Sequence, residues 1–534
     1  MKPKAKCSII LLLFCIALLV GGCGEETNMN TVNNTGVPTE APTNTAAPTA
    51  AANRKEEFAA LKLAETLKKP GLNNPLMTQR LGADPYALVY DGRLYIYMTG
   101  DVVETNPDGT PRPNTYQKIN TINVISTDDM VNWTDHGSVL AAGSKGAAKW
   151  GGNSWAPAAA CKEINGTMKF FLYFANSGNG IGVLSADSPI GPFTDPINKA
   201  LISRQTPNCA NVEWLFDPAV WVDEDGSAYI YFGGGVPRGQ FEFPGTARMV
   251  KLGADMISIE GEPVAINPPF LFEDSGINHI GNTYYYSYCS NFNVDGHEHA
   301  GLYNLENGQI CYMTSDSPYG PFTYQGAILK NPGAYFGCGG NNHHCIFEFN
   351  GKYYITYHSQ ILDEPLGTGG GYRCTHIDEI NIREDGSIEM AKGTKFGVAQ
   401  LKNFDPYQRV SAATMWTMGG LQTCAADRNA EVYGSGAMAV CGIDDGDWMC
   451  LSKVDFGDTG ATEWLAEMCC EAGAEGTVAI RIDSLNKGED VGYLEICPGQ
   501  TEMTANLLRT VTGVHDLYFI FKGNGYRFVS WQFR

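Results

Sequence analysis

Between about residue 72 and residue 402 the chain is a succession of short apolar runs rich in aromatic and β-branched residues, each bounded by Gly, Asp or Asn turn residues. That pattern predicts strands rather than helices. One aromatic run recurs five times, as GRLYIYMTG (92–100), MKFFLYFANS (168–177), GSAYIYFGGG (226–235), NTYYYSYCS (282–290) and GKYYITYHS (351–359). A second phrase recurs with it, as SADSPIGPFTD (185–195) and TSDSPYGPFTY (314–324), with VISTDDMVNWTDHG (124–137) as a looser copy. Each unit reads strand, turn, aromatic strand, further strand, Asp-Ser-Pro turn. Radial repetition of four-stranded sheets is a β-propeller, and five copies predict five blades over residues 71–402. A β-sandwich would not explain repeats this long.

The flanks differ. Lys2, Lys4 and Lys6 precede an apolar run from Ile9 to Val20, the length of a signal-peptide core and short for a bilayer span. It ends in Leu19-Val20-Gly21-Gly22-Cys23, which resembles a bacterial lipobox. Residues 1–22 are therefore expected to be a lipoprotein signal peptide and Cys23 the lipidated N-terminus, which places the protein at the cell surface on a lipid anchor. Residues 23–70 read as a tether, rich in Thr, Asn, Pro and Ala, with a charged helical stretch from Arg54 to Lys69 that stops at Pro70-Gly71. After residue 402 the texture changes to short strands such as VAIRIDS (478–484) and VGYLEIC (491–497), which predict a β-sandwich (jelly-roll) module over 403–534. The fold class expected is thus all-β.

A formal net charge of −21 disfavours a nucleic-acid binder, which needs a basic face, and suits a neutral substrate such as a sugar. Setting aside Cys7, Cys15 and Cys23, the 16 cysteines leave 13, with no zinc-site spacing. Several stand singly in strand-like runs (Cys289, Cys345, Cys374), so mostly free thiols are expected. Any bridge should lie among those from Cys424 onward.

The repeats also carry acids. Asp84 and Asp217 each precede a Pro at the same point before an aromatic strand, and Glu273 again lies upstream of one. At one mouth of a propeller channel, three such carboxylates would crowd one pocket. Crowding raises at least one pKa, the condition for paired acid and base work. The plainer alternative is that Asp-Pro forms turns and Glu is solvated. GNSWA (152–156) lacks the last Gly of a nucleophile elbow, and His297-Glu298-His299 has no metalloprotease spacing.

Gly82-Ala83-Asp84-Pro85, Trp155-Ala156-Pro157, Phe216-Asp217-Pro218, Glu273 ahead of Tyr284-Tyr285, and Asn342-His343-His344 ahead of Tyr357-His358 together resemble glycoside hydrolase family 43. The longer stretches WAPAAACKEINGTMKFFLYFANSGNGIG and FGCGGNNHHCIFEFNGKYYITYH resemble its arabinoxylan arabinofuranohydrolase branch. The resemblance implies a five-bladed propeller and inverting hydrolysis of α-L-arabinofuranosyl side groups from arabinoxylan, a plant cell-wall polysaccharide. It implies Asp84 as general base, Glu273 as general acid and Asp217 as the carboxylate that tunes the acid. Substrate contacts are implied for Trp155, Phe216, Asn342 (or its neighbour Asn341) and Arg373. A structural calcium ion in the central channel is implied near His343, although Cys345 replaces the family's usual Ser. No organic cofactor is implied, and a monomer is expected. A β-1,4-xylosidase or xylanase of the same mechanism, or a non-catalytic glycan-capture lipoprotein, stays open.

Residues 444–457 and 513–533 resemble a family 6 carbohydrate-binding module. Gly442 stands where that family often has its first cleft aromatic, and Pro498–Thr504 holds no aromatic at all. Arg527 and Ser530 replace the closing Asn and Asp, and Ser411 and Ala413 replace the acidic calcium ligands.

Overall fold

The computed structural model describes residues 48–427 and 437–534. The signal peptide and the lipidation site expected at Cys23 lie outside the described residues. Each aromatic run forms the second strand of its blade, as Arg93–Gly100, Thr167–Ala175, Ala228–Phe232, Thr283–Ser290 and Lys352–Ser359. Antiparallel to them run the first strands, Gly82–Tyr90, Trp155–Ile164, Ala219–Val222, Leu271–Ile280 and His344–Phe349. These first strands adjoin one another in a closed ring around the channel, blade one to blade five and back to blade one.

The repeated tyrosines latch the ring. At one equivalent position in the second strands of blades one, two and three stand Tyr97, Tyr173 and Tyr231, each almost wholly buried. Their hydroxyls donate across to the following blade, to Pro189 O (2.5 Å), Met256 O (2.7 Å) and Pro318 O (2.7 Å). Pro189 and Pro318 belong to the two Asp-Ser-Pro turns. The two repeated phrases are therefore the two halves of one interblade hydrogen bond, which a buried phenol needs.

Blade five has only three strands, ending in Cys374–Ile380. Its open edge is closed by residues before the first blade. Leu76 N–H donates to Thr375 O at 2.9 Å. The Asn74 side chain then imitates a peptide, since Nδ2 donates to Ile377 O and Oδ1 accepts from Ile377 N–H, both at 2.9 Å. An uncovered strand edge would leave such groups unpaired.

The C-terminal module is a curled sheet built on two long strands, Ala461–Ile482 and Val514–Phe533, which pair with each other and with the shorter strands around a core of Trp464, Phe519, Phe528 and Trp531. It joins the propeller by strand addition, because Thr414–Met415 pairs with Trp133–Leu140 as a fifth strand of blade one. Asn132 clamps the joint, donating to Ser452 O at 3.0 Å and accepting from Ser452 N–H at 2.8 Å. The helix expected over 54–69 instead spans Pro48–Ala59. The end of this helix and the residues after it are not a free tether. Phe58 is buried against the Trp416 and Trp448 cluster, and Ala64 pairs with Gly446 O and Trp448 Nε1. Burying those apolar side chains outweighs continuing a helix whose other faces are charged. The thirteen cysteines of the described residues stand as free thiols.

Asn74→Ala leaves the N–H and C=O of Ile377 without that partner at a buried edge. It should lower the unfolding free energy by roughly 1–3 kcal/mol, measured by urea denaturation. An unchanged midpoint would show that the edge is closed by other contacts.

Candidate active site

The first strands break their ladders at the same place. Register shifts fall between Ala83 and Tyr86, Trp155 and Ala158, and Glu273 and Gly276. Within these bulges Asp84, Ala156 and Asp274 take positive φ, at 46°, 36° and 70°, and Asp217, just ahead of the blade-three first strand, takes 50°. A bulge re-aims side chains, and Asp tolerates the left-handed region better than most residues. This refines the sequence reading in two ways. Asp84 lies inside the first strand rather than ahead of it, and Glu273 stands one residue earlier than the position shared by Asp84 and Asp217. The blade-four equivalent of those aspartates is Asp274, while Glu273 shares its register with Trp155.

Asp84, Asp217 and Glu273 nevertheless meet in one cavity of about 450 Å³, with side chains almost wholly buried. Aromatic rings wall it, among them Trp155, Phe216, Tyr116, Trp214 and Phe272. Trp214 packs edge-on against both Phe216 and Phe272, with centroids at 5.2 and 5.4 Å. Trp155 is fixed by its Nε1–H, which donates to Tyr116 O at 2.9 Å. Arg373 and His343 line the same cavity. Asn342 does not. It is fully buried, with Nδ2 donating to Gly308 O at 2.9 Å, and Asn341 reaches the cavity instead.

Asp84 Oδ1 accepts from Arg373 Nη1 at 2.8 Å. Burial pushes Asp84 up, but the Arg373 guanidinium and then His343 outweigh it and hold the carboxyl down to about 2. Glu273 has no such partner. Burial, and then the neighbouring Asp217 and Asp84, hold it well above the usual carboxylate range, against a backbone N–H from Asn342 at 3.3 Å. Asp217 is also raised, chiefly by burial, despite accepting from Asp274 N–H at 2.9 Å. His358 Nδ1 accepts the Asp84 N–H at 3.1 Å and its Nε2–H donates to Asn341 O, so the ring is neutral. Burial keeps its pKa down at about 4. Its 3.4 Å approach to Asp84 Oδ1 is therefore packing and not an ion pair at neutral pH.

His343, expected near a calcium ion, faces acids on both sides. Nε2 lies 3.0 Å from Asp274 Oδ1, and Nδ1 lies 3.6 and 3.9 Å from Asp84 and Asp217. Calcium takes six to eight oxygens. Asp274 instead spends its carboxylate on His343 and on the ring and backbone of His344. Among the described residues no cluster of three or more acidic, His or Cys side chains forms a metal shell. A calcium ion near His343 would therefore take most of its oxygen ligands from water.

Several site residues carried little or no sequence signal. Asp274 was one register step from legible. Asp101 directly follows an aromatic strand and binds Arg373 through three hydrogen bonds. Tyr116 and Trp214 arrive on loops, where no periodicity marks them.

With known proteins the correspondence is extensive. Residues 72–388 match the family described as glycosyl hydrolases family 43, and residues 411–534 match the carbohydrate binding module of family 6. An arabinoxylan arabinofuranohydrolase of Bacillus subtilis is 47% identical over 87% of this chain and 93% of its own length. One of Paenibacillus polymyxa is 46% identical over 87% of this chain and 75% of its own length. A crystal structure of a Bacillus subtilis family 43 arabinoxylan arabinofuranohydrolase in complex with cellotetraose superposes with a TM-score of 0.83 at 45% identity, covering 89% of this chain and 99% of that one.

A protonated Glu273 has a cost. Its folded-state pKa is raised above the ordinary 4.5, so above that pH the unfolded chain ionises a group that the fold keeps protonated, and stability falls as pH rises. Glu273→Gln removes this dependence. It should raise the melting temperature at pH 7 by roughly 2–4 °C, with the gain shrinking as pH falls toward the ordinary carboxylate range. No gain at pH 7 would contradict a proton held on Glu273.

Proposed function

The chain belongs to family 43 of the glycosyl hydrolases, and from that premise we infer that it is a glycosidase removing α-L-arabinofuranosyl side groups from arabinoxylan by inverting hydrolysis. The observation that carries this reading is one aromatic-walled cavity in which Asp84 is paired with Arg373 while Glu273 lies buried beside Asp217 and Asp84, which push its pKa up. Two carboxyls in opposite states are what acid–base hydrolysis of a glycoside needs. The two relatives named above act, by their names, on arabinoxylan.

In the proposed cycle the arabinofuranosyl ring enters the cavity against Trp155 and Phe216. Asp84 accepts a proton from a water whose oxygen attacks the anomeric carbon. Glu273 gives its proton to the departing glycosidic oxygen as that bond breaks. Asp217 and the low-dielectric wall keep the acid protonated until then. Afterwards Asp84 carries the proton and Glu273 the charge, and exchange with solvent resets both. No step needs a metal or an organic cofactor.

The C-terminal module is proposed to serve chiefly as a structural partner of the propeller. Two of the positions that depart from the carbohydrate-binding pattern are occupied structurally, since Arg527 Nη1 donates to Ala425 O and Ser530 links Arg409 to Glu467. The anchor proposed at Cys23 would hold the enzyme at the cell surface, facing polymer it cannot import. Cys23→Ser should release it from the membrane fraction.

Wild type should release arabinose from arabinoxylan, identified by chromatography, with the xylan backbone left uncut. Glu273→Ala should lose about 10²–10⁴-fold in kcat on arabinoxylan, and far less on an aryl arabinofuranoside whose phenolate leaves without protonation. Xylose or xylo-oligosaccharides as products would overturn the substrate assignment.

A further inference from the structure

Arg373 makes more contacts than neutralising a base requires. It is buried at the start of the last blade-five strand, and its polar contacts divide unevenly. Asp101 takes three, the backbone N–H at 2.9 Å, Nε at 3.0 Å and Nη2 at 2.8 Å. Asp84 takes one, from Nη1 at 2.8 Å. Tyr116 closes the flat face, its ring centroid 5.1 Å from the guanidinium carbon. Guanidinium and carboxylate prefer a two-pronged pairing. Here the Nε/Nη2 fork is given to Asp101, and Asp84 receives only the outer prong.

We propose that Asp101 is a positioning residue that occupies the fork of Arg373, so that Arg373 ionises Asp84 through one hydrogen bond without closing over it. The proposal rests on the reading of Asp84 as the base. Without the Asp101 charge, nothing on that side holds the fork, and the guanidinium is free to turn onto Asp84. A doubly bonded Asp84 offers fewer lone pairs to the attacking water and is a weaker base. Asp101 itself does not line the cavity, so substrate binding should be spared.

The test is steady-state kinetics of Asp101→Asn, nearly isosteric but uncharged, on arabinoxylan and on an aryl arabinofuranoside. Asp84→Asn and Glu273→Ala serve as references, and the melting temperature is measured in parallel. Water attack limits both substrates, whereas leaving-group protonation limits only the polysaccharide. The proposal expects kcat to fall by about 10²-fold on both substrates alike, with KM within about threefold of wild type. An unchanged kcat, or a loss confined to KM, would overturn it, because a merely structural role would distort the pocket rather than the base. A loss on arabinoxylan alone would also overturn it, by pointing to the acid. If Asp101→Asn does not fold, Asp101→Glu, which keeps the charge, is read by the same criterion against wild type, with partial retention of kcat expected and full loss contradicting the role of charge. The base reading fails separately, if Asp84→Asn retains wild-type kcat whatever Asp101→Asn does.

Discussion

One guanidinium set among buried carboxyls decides the chemistry of this protein. Burial alone would push every acid in the cavity toward its neutral form. Arg373 touches Asp84 and not Glu273, so the first is ionised and the second keeps its proton. The two protonation states that the proposed cycle needs follow from that one difference in contact. Asp101 shares the same cation, which is why it does not simply saturate the base.

The contact spans the seam of the ring. Asp84 lies in the first blade and Arg373 in the last, 289 residues apart in sequence. Whatever closes the ring therefore also builds the site. The tyrosine latches hold successive blades, and Asn74 and Leu76 seal the three-stranded last blade next to the first. The module adds a strand to the outer edge of blade one, and the segment around Phe58 and Ala64 packs beneath it. Asp84, Ala156, Asp217 and Asp274 take positive φ in or just ahead of the first strands, where the site is built.

The fold was legible because its repeat is written in tyrosines and Asp-Ser-Pro turns, which Tyr97 and Tyr231 join in the structure. The three carboxylates were legible for the same reason, as residues near one point of a repeat. Sequence set Glu273 upstream of an aromatic strand like the two aspartates, and the structure puts it one residue earlier than their shared position, which Asp274 takes. Asn342 misled because it lies on the loop before the blade-five first strand, where its side chain turns back to Gly308 O and its neighbour Asn341 reaches the cavity. Asp101 and Trp214 had no signal, since their roles depend on chain segments far away in sequence. The stretch before the propeller read as a tether because its few apolar residues, Phe58, Leu61 and Leu63, look incidental until the surface they cover is seen.

The central claim is a statement about where one proton sits, and infrared difference spectroscopy at neutral pH observes it directly. The account predicts that the carbonyl stretch of a protonated carboxylic acid, present in wild type, loses intensity in Glu273→Gln, where only Asp217 of the cavity acids can still contribute, and survives in Asp84→Asn. Loss of that band in Asp84→Asn, or its survival unchanged in Glu273→Gln, would contradict the assignment of acid and base.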